Sequence, residues 1–421
     1  MHKARFNHIR TLIIWLVPTI FFAYQFMIRN TPGLLVDELT SQFHINALQF
    51  ALFSSLFYAS YSLMQIPIGI LLDKYNPRFV LSAVMALYSI GAIVFASTDN
   101  FYIALIARIL MGIGSVIGFL GSAKMASLYF PPKQYSFLIS LTFTAGFLGA
   151  MYGGKPIALL ITQYSWQYIY YTFAAFGLLL SIVPLLMLTD KQEKFEDNLP
   201  SITFKDLGLY FKKYKTVVFV AICGGLMMGP TEGFADAWGV KYLTTIFHLS
   251  KSDASFAVSM VYLGLCIGGP LMVFISEKLN CDIITVLFCG FIMTISLSIL
   301  LSIDHLSYAQ IIACCFVTGL GCGSQVVIFT INSKLVTNEF AAITAAITNS
   351  IVMSSGFFIH LIIGFVIDLV NQGSIANNLR IYTKDELKYS LSAIPILMII
   401  GSILIMLAYT RLSNIDRNEQ T

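Results

Sequence analysis

Seven ionisable side chains lie within long apolar stretches of this 421-residue sequence. They are Arg29, Arg108, Lys124, Lys155, Glu232, Asp236 and His360. Such groups in apolar surroundings need a partner, a water-filled cavity or a function. A guanidinium can donate two parallel hydrogen bonds to a carboxylate or phosphate, and a carboxylate can bind an ammonium group or exchange a proton. These residue types therefore predict a site for a small charged ligand.

Two of these residues occupy equivalent positions of an internal repeat. Residues 69–78 form a charged hairpin between apolar runs, and a degraded copy follows 203 positions later. The same offset pairs Arg29 with Glu232, which follows the helix-interrupting pair Gly229-Pro230. Interrupted helices at matching places in two halves of a chain indicate a binding site. We therefore predict that Arg29 and Glu232 contact a substrate; a permanent ion pair between them is the alternative.

Further polar residues are assigned to the same site. Substrate binding is also predicted for Tyr24, Tyr58, Lys124 and Gln325, and proton coupling for Glu232, Asp236, Arg108 and His360. Three of these have a structural alternative. Lys124 can instead extend to the membrane surface, Arg108 can brace neighbouring helices, and His360 can be a packed residue that does not titrate.

The elements that hold these residues are predicted to be membrane helices. The chain is 57% hydrophobic and only 11% charged, against about 25% charged in soluble domains. Apolar runs of about 20 residues are long enough to cross a bilayer as helices and too long for barrel strands. The predicted spans are 11–37, 46–73, 79–97, 101–129, 134–161, 166–188, 216–244, 254–277, 283–303, 307–333, 340–369 and 389–410.

The twelve spans divide into two similar halves. We predict a six-helix bundle over 1–188, a charged linker over 189–215 and a second six-helix bundle over 216–421. Basic residues concentrate at the N-terminus, in the linker and in the loops on that side, so both termini are predicted to be cytoplasmic. A polar insertion at 371–388 is predicted to be a solvated outer loop.

Several classes of function are disfavoured. The seven cysteines all lie in the second half without CxxC spacing, so they are interpreted as small packing residues, and no metal or cofactor is predicted. A nucleophile with an adjacent base is not apparent, which argues against an enzyme. The net charge of +4 reflects loops that meet a membrane, so no nucleic-acid partner is expected.

Glycines predict where the helices pack and bend. Gly112 and Gly114 in the fourth span match Gly319 and Gly321 in the tenth, and such glycines allow close approach of backbones. Lys155 follows two glycines and precedes a proline, which predicts a bending point in the fifth span.

Three motifs resemble those of the major facilitator superfamily. Gly69-x-x-x-Asp73-x-x-x-x-Arg78 resembles its signature loop between helices 2 and 3, and Arg108-x-x-x-Gly112-x-Gly114 resembles its helix 4 motif of proton-coupled members. The glycine-rich run from Gly146 to Pro156 is loosely similar to the helix 5 motif of its antiporters. The resemblance implies a secondary transporter with alternating access and a conformational latch formed by Gly69, Asp73 and Arg78.

One arginine facing one acidic residue favours a small zwitterion, such as an amino acid or short peptide, moved with protons. An organic anion, including a carboxylate metabolite or polycarboxylate siderophore, is the alternative substrate, and a non-transporting membrane sensor is the alternative class. With Arg29 followed by a proline and with the run Pro67-Ile-Gly-Ile-Leu-Leu-Asp73, the N-terminal half also resembles bacterial facilitators. This resemblance implies the lipid bilayer of a bacterial inner membrane, and a monomer is expected.

Overall fold

The computed structural model describes residues 2–188, 204–337, 340–370, 375–376, 379–380 and 382–418. Residues 189–203, most of the predicted linker, and much of the predicted outer loop lie outside the described residues. Within the described part the chain is helical apart from two short antiparallel strands, β1 Ile375–Ala376 and β2 Leu379–Arg380.

The helices of the first half begin with α1 His2–Arg29, α2 Thr31–Leu34, α3 Val36–Phe43, α4 Ala47–Lys74 and α5 Pro77–Ser97. They continue with α6 Phe101–Tyr129, α7 Pro132–Tyr152, α8 Lys155–Gln163 and α9 Trp166–Met187. The second half contains α10 Phe204–Lys213, α11 Lys215–Leu226, a π-helix Pro230–Trp238, α12 Gly239–Ile246, α13 Lys251–Leu279, α14 Asp282–Ser302, α15 Tyr308–Cys322, α16 Ser324–Lys334, α17 Ala341–Val370, α18 Lys384–Leu391 and α19 Ala393–Asn418.

Twelve helical segments in the described residues are long and apolar enough to cross a membrane. This confirms the predicted number of spans, and their bounds differ from the prediction by a few residues. The largest difference is at the last span, which begins at Lys384 rather than 389. The reason is a capping box, in which the Thr383 hydroxyl accepts from the Glu386 backbone and the Glu386 carboxylate accepts from Thr383.

The spans form two six-helix bundles that meet along three seams. In the first bundle α1, α4, α5, α6, α7 and α9 pack on one another, and in the second α11 and α13–α19 do so. Between the bundles α4 packs along α17, α7 and α8 pack on α13, and α2 packs on the π-helix. We call the side where α9 ends and α11 begins the linker side, and the opposite side the far side.

Glycines allow the tightest of the helix contacts, as predicted. A Cβ atom at Gly112 would lie 2.5 Å from the Phe57 carbonyl oxygen, and one at Gly114 would lie 2.5 Å from the Tyr88 nitrogen. Gly319 similarly lies against the Val261 backbone. Gly69 makes no such tight contact, because its Cβ would meet only a Leu120 methyl group at 3.9 Å.

Five of the spans are interrupted rather than continuous, and the last of them breaks at Ser392 between α18 and α19. The first breaks after Arg29, and the seventh changes to a π-helix at Pro230, where Gly229-Pro230 predicted an interruption. The fifth breaks at Gly153, which confirms the predicted bend. The tenth breaks at Gly323, which was not predicted, because a single glycine is a weak helix-breaking signal.

On the far side, the segment before the last span is held by ion pairs. Lys384 and Lys388 both donate to Asp304, and these hydrogen bonds lower the pKa of the Asp304 carboxyl below its usual value. Tyr382, just before α18, packs edge-on against Trp238 at the end of the π-helix. The far-side segment is thus attached to the helix that carries Glu232 and Asp236.

We expect Gly114→Ala to destabilise the protein by about 1–3 kcal/mol, because the added methyl group forces α5 and α6 apart. Gly69→Ala is the matched control and should leave stability nearly unchanged. Thermal unfolding of the purified protein in detergent measures both. Equal melting temperatures for the two variants would contradict the packing described here.

Candidate functional site

A buried ion pair joins the two bundles. The Arg29 guanidinium lies 3.2 Å from the Asp236 carboxylate, and both side chains are buried. The Tyr262 hydroxyl of α13 donates to the other oxygen of Asp236. Residues of α1, of the π-helix and of α13 therefore meet at the Asp236 carboxylate.

The local chain geometry places Arg29 for this contact. Arg29 is the last residue of α1, and the break at Asn30 frees its side chain to turn across the seam. Its guanidinium lies 4.2 Å from the Phe26 ring centre and 5.3 Å from that of Tyr58. Aromatic faces stabilise a cation when water is excluded, so these rings hold Arg29 in position.

Glu232 lies beside this pair but is not part of it. Its side chain is on the π-helix, the residue is 1% exposed, and its Oε2 atom has no hydrogen-bond partner among the described residues. Its charge interacts with that of Arg29. Gly356 of α17 provides the space, because a Cβ there would lie 2.8 Å from Oε2 of Glu232 and 2.7 Å from the Tyr58 ring.

His360 and Tyr58 complete one wall of the site. Their rings are 5.3 Å apart at an interplanar angle of 38°. Tyr58 comes from α4 and His360 from α17, one turn after Gly356. Both residues are buried, and neither the Tyr58 hydroxyl nor either His360 ring nitrogen has a partner among the described residues.

Arg108 is a second buried arginine. It is 1% exposed, and its guanidinium lies 5.0 Å from the ring centres of both Phe53 and Phe57. Its Nε and Nη1 atoms have no hydrogen-bond partner in the described part of the chain. Its charge interacts with Arg29 and His360. Arg108 is therefore close enough to Arg29 and His360 for their charges to interact, but it has no carboxylate partner among the described residues.

The cluster lies near the middle of the membrane span. Tyr58 and Tyr262 are each 11 residues from the far-side starts of α4 and α13, at Ala47 and Lys251. At 1.5 Å per residue this is about 16 Å, roughly half of a 30 Å hydrocarbon core. The site therefore lies deep within the membrane span, nearer to the far-side ends of α4 and α13 than to their linker-side ends, which are 16 and 17 residues away.

A small cavity adjoins the ion pair on its far side. It measures about 20 Å³ and is lined by residues that include Asn30, Ser255, Ser259 and Tyr262. A water molecule needs roughly 10–15 Å³ and polar partners, and both are present here. The cavity can therefore bring water next to the hydroxyl that contacts Asp236.

Other predicted site residues lie elsewhere. Lys124 forms an ion pair of 2.9 Å with Asp73 near the linker side, within the first bundle. The Tyr24 hydroxyl donates to the Phe173 carbonyl oxygen, and Gln325 is partly buried on α16. Their predicted contact with substrate stays a prediction. Arg78 stacks over Phe79 at 5.4 Å, beside the start of α5.

Ion pairs also link the bundles at the far side. Lys241 contacts Asp37 at 2.6 Å, Lys251 contacts Glu38 at 2.6 Å, and Lys155 contacts Asp253 at 3.6 Å. Each joins a residue of the first bundle to one of the second. Because these side chains are partly exposed, each pair contributes little alone, but together they hold the far side closed.

The sequence did not indicate which acidic residue pairs with Arg29. The 203-residue offset pointed to Glu232, whereas the ion pair forms with Asp236, four residues later. The spacing of four residues was the available signal, because it places both carboxylates near one face of a helix. The π-helical winding then decides which of them reaches Arg29, and this winding has no simple sequence pattern.

Two helical bundles around a charged midplane cluster define a multi-pass integral membrane protein with a transporter fold. Over residues 19–360 the chain matches the Major Facilitator Superfamily, and it belongs to that family. The family consists of small-molecule transporters, so the prediction of a transporter rather than an enzyme is confirmed. The predicted two-bundle fold is confirmed as well.

Individual relatives are distant. The chain is 23% identical to the hexuronate transporter of Bacillus subtilis (strain 168) over 254 residues, which span 58% of each protein. A bacterial homolog of the human lysosomal transporter Spinster, solved inward-facing and occupied, matches with a TM-score of 0.75 at 15% identity, over 94% of this chain and 96% of that one. The nucleoside transporter NupG matches with a TM-score of 0.74 at 12% identity, over 94% and 99%. At these identities the solved structures show the fold alone.

We expect Arg29→Gln and Asp236→Asn each to destabilise the protein by about 3–5 kcal/mol, because each leaves a buried charge without its partner. The double variant should be less destabilised than the sum of the two. Thermal unfolding in detergent provides the comparison.

Lys155→Gln serves as the control for this cycle. It removes an exposed pair across the same bundles and should change stability by less than about 1 kcal/mol. Additive losses in the Arg29 and Asp236 double variant would show that the two side chains do not depend on each other.

Proposed function

We propose that this protein transports a small zwitterion, an amino acid or a short peptide, by alternating access. The observation that carries the proposal is a mismatch of charges within the site. Arg29 and Asp236 compensate each other, whereas Glu232 and Arg108 are each buried with unpartnered atoms among the described residues. A buried charge without a close partner is unfavourable. A ligand that carries one charge of each sign would satisfy both residues.

The charge balance of the unprotonated site accommodates a zwitterion. Two arginines and two carboxylates sum to zero when all four are ionised. A zwitterion leaves this sum unchanged, with its ammonium group at Glu232 and its carboxylate at Arg108. An anion would add a negative charge to a buried site, so it would require a proton to enter with it.

The proton site in this proposal is Asp236. Protonation would neutralise its carboxylate and weaken the pair with Arg29 that joins the bundles. The adjoining cavity would supply water to the Tyr262 hydroxyl, which donates to Asp236. Proton binding at Asp236 would then favour separation of the bundles at the far side.

The remaining elements fit alternation between two states. The basic residues on the linker side support cytoplasmic termini, so the far side faces outwards, and a bacterial inner membrane and a monomer complete the proposal. Gly69, Asp73 and Arg78 are proposed to act as the latch of the linker side. The Asp73–Lys124 pair lies within one bundle here, so it does not oppose opening on that side.

An organic anion is the second candidate. The observation that favours it is the presence of two buried arginines, Arg29 and Arg108, together with the similarity to a hexuronate transporter. In this case a protonated Glu232 would donate a hydrogen bond to the anion, and Glu232 would not be needed as a charge.

Serine, glycerate and ethanolamine separate these candidates, because the second lacks the ammonium group and the third lacks the carboxylate. We expect only serine to raise the melting temperature of the purified protein. Glu232→Gln should weaken serine binding by about 30-fold or more, since it removes the partner of a buried ammonium group.

Glu38→Gln is the control, because it removes a carboxylate of the far-side pairs and should leave serine binding unchanged. Stabilisation by glycerate or glucuronate, retained in Glu232→Gln, would favour the anion instead. Serine binding without flux into proteoliposomes would indicate the membrane sensor.

We expect an acidic exterior to accelerate serine uptake into proteoliposomes severalfold, and Asp236→Asn to abolish this acceleration. The reason is that the variant cannot bind the proton that weakens the pair with Arg29. Exchange of internal for external serine should persist in the variant, because exchange needs no net proton movement. Asp253→Asn, an exposed carboxylate near the same seam, should keep the response to pH, and a gradient response retained by Asp236→Asn would assign the proton elsewhere.

A further inference from the structure

Two uncharged polar groups in the site would not bind the ammonium or the carboxylate group of a zwitterion. They are the hydroxyl of Tyr58, which is 2% exposed, and the imidazole of His360, which is 1% exposed. Neither has a hydrogen-bond partner among the described residues. Buried polar groups are nearly always hydrogen-bonded, so each exception needs an explanation.

Other buried tyrosines show how this chain normally satisfies such groups. The hydroxyls of Tyr24, Tyr88 and Tyr242 each donate to a backbone carbonyl oxygen of a neighbouring helix. Tyr58 instead lies against Gly356, where the missing side chain lets the Tyr58 ring and Glu232 pack against α17. The contacts of the Tyr58 ring to Arg29 and His360 fix its position without using the hydroxyl.

Tyr58, which packs against His360, lies beside Glu232, where the ammonium group is proposed to bind. Oε2 of Glu232 and the Tyr58 ring both border the same point beside Gly356. A ligand with its ammonium group at Glu232 would therefore place its side chain next to Tyr58 and His360. The ligand side chain that reaches Tyr58 and His360 is short, because Glu232 and the Tyr58 ring lie beside the same point.

We propose that Tyr58 and His360 bind the side chain of the substrate, which makes the substrate an amino acid with a short, uncharged, hydrogen-bonding side chain. This inference rests on the proposed zwitterion transport. A tyrosine hydroxyl and a neutral imidazole can each donate and accept, which complements a hydroxyl or an amide group. A charged side chain of either sign would upset the zero net charge of Arg29, Arg108, Glu232 and Asp236.

The same groups reject apolar substrates. An apolar side chain of equal size would fill the space and leave the Tyr58 hydroxyl and the imidazole unpaired. Sites built to hydrogen-bond a substrate discriminate strongly against analogues that lack the polar group. Threonine and valine have nearly the same shape and differ in this one respect, so they are the most direct probes.

The test measures competition of threonine and of valine with a radiolabelled amino acid for the full-length protein in detergent. We expect threonine to bind about 10- to 100-fold more tightly than valine, as one or two unsatisfied buried groups imply. In Tyr58→Phe, which keeps the ring and its contacts, the ratio should fall because threonine binds more weakly. His360→Phe should reduce the ratio in the same direction.

Tyr24→Phe provides the matched control, because it removes a hydroxyl whose partner is the Phe173 carbonyl oxygen, and it should keep the wild-type ratio. Melting curves verify that each variant is folded. If valine matches threonine, or if the ratio is unchanged in both Tyr58→Phe and His360→Phe, this inference is overturned while zwitterion transport stands. If neither threonine, serine nor any other α-amino acid binds, the proposed function fails and the inference fails with it.

Discussion

Compensation of charge in an apolar interior is the constraint on which this structure depends. Arg29 and Asp236 come from different bundles and are buried in the same seam, so neither can be ionised there without the other. The first span breaks directly after Arg29, and the seventh is wound as a π-helix around Asp236. These irregular helices bring the two charges together within the membrane span.

Close helix packing is the second requirement, and glycines supply it. The side chains of Glu232 and Tyr58 can share a narrow space only where the facing helix has no side chain, as at Gly356. Elsewhere Gly112, Gly114 and Gly319 bring whole helices into backbone contact within each bundle. The seams between the bundles are closely packed as well, as at Gly364 against Ala51 and at Gly154 against Ser259. Movement of one bundle against the other must therefore separate packed surfaces in addition to polar contacts.

Much of the architecture could be predicted because it depends on local properties of the sequence. Apolar run length located the twelve spans, and glycine or proline pairs located the breaks near Gly153 and Pro230. The partner of Arg29 could not be predicted, because it depends on helix rotation across two bundles. The same holds for the pairing of Lys124 with Asp73, where spacing along the sequence left a cavity role and a surface role equally open. Contacts between distant segments leave no pattern in the local sequence. The 203-residue offset of the internal repeat therefore located only the region of the site.

The ion pair and the proposed ligand site share one short helix, and this links occupancy to movement. Glu232 and Asp236 are four residues apart on the π-helix, and the charges of both interact with Arg29. When Glu232 has no bound cation, both carboxylates attract the guanidinium and hold α1 to the seventh span. An ammonium group at Glu232 cancels one of these attractions, and a proton on Asp236 cancels the other. The attraction between Arg29 and the carboxylates of Glu232 and Asp236 is therefore weakest when substrate and proton are both bound. A coupled transporter requires this condition, because its loaded form must be able to change state.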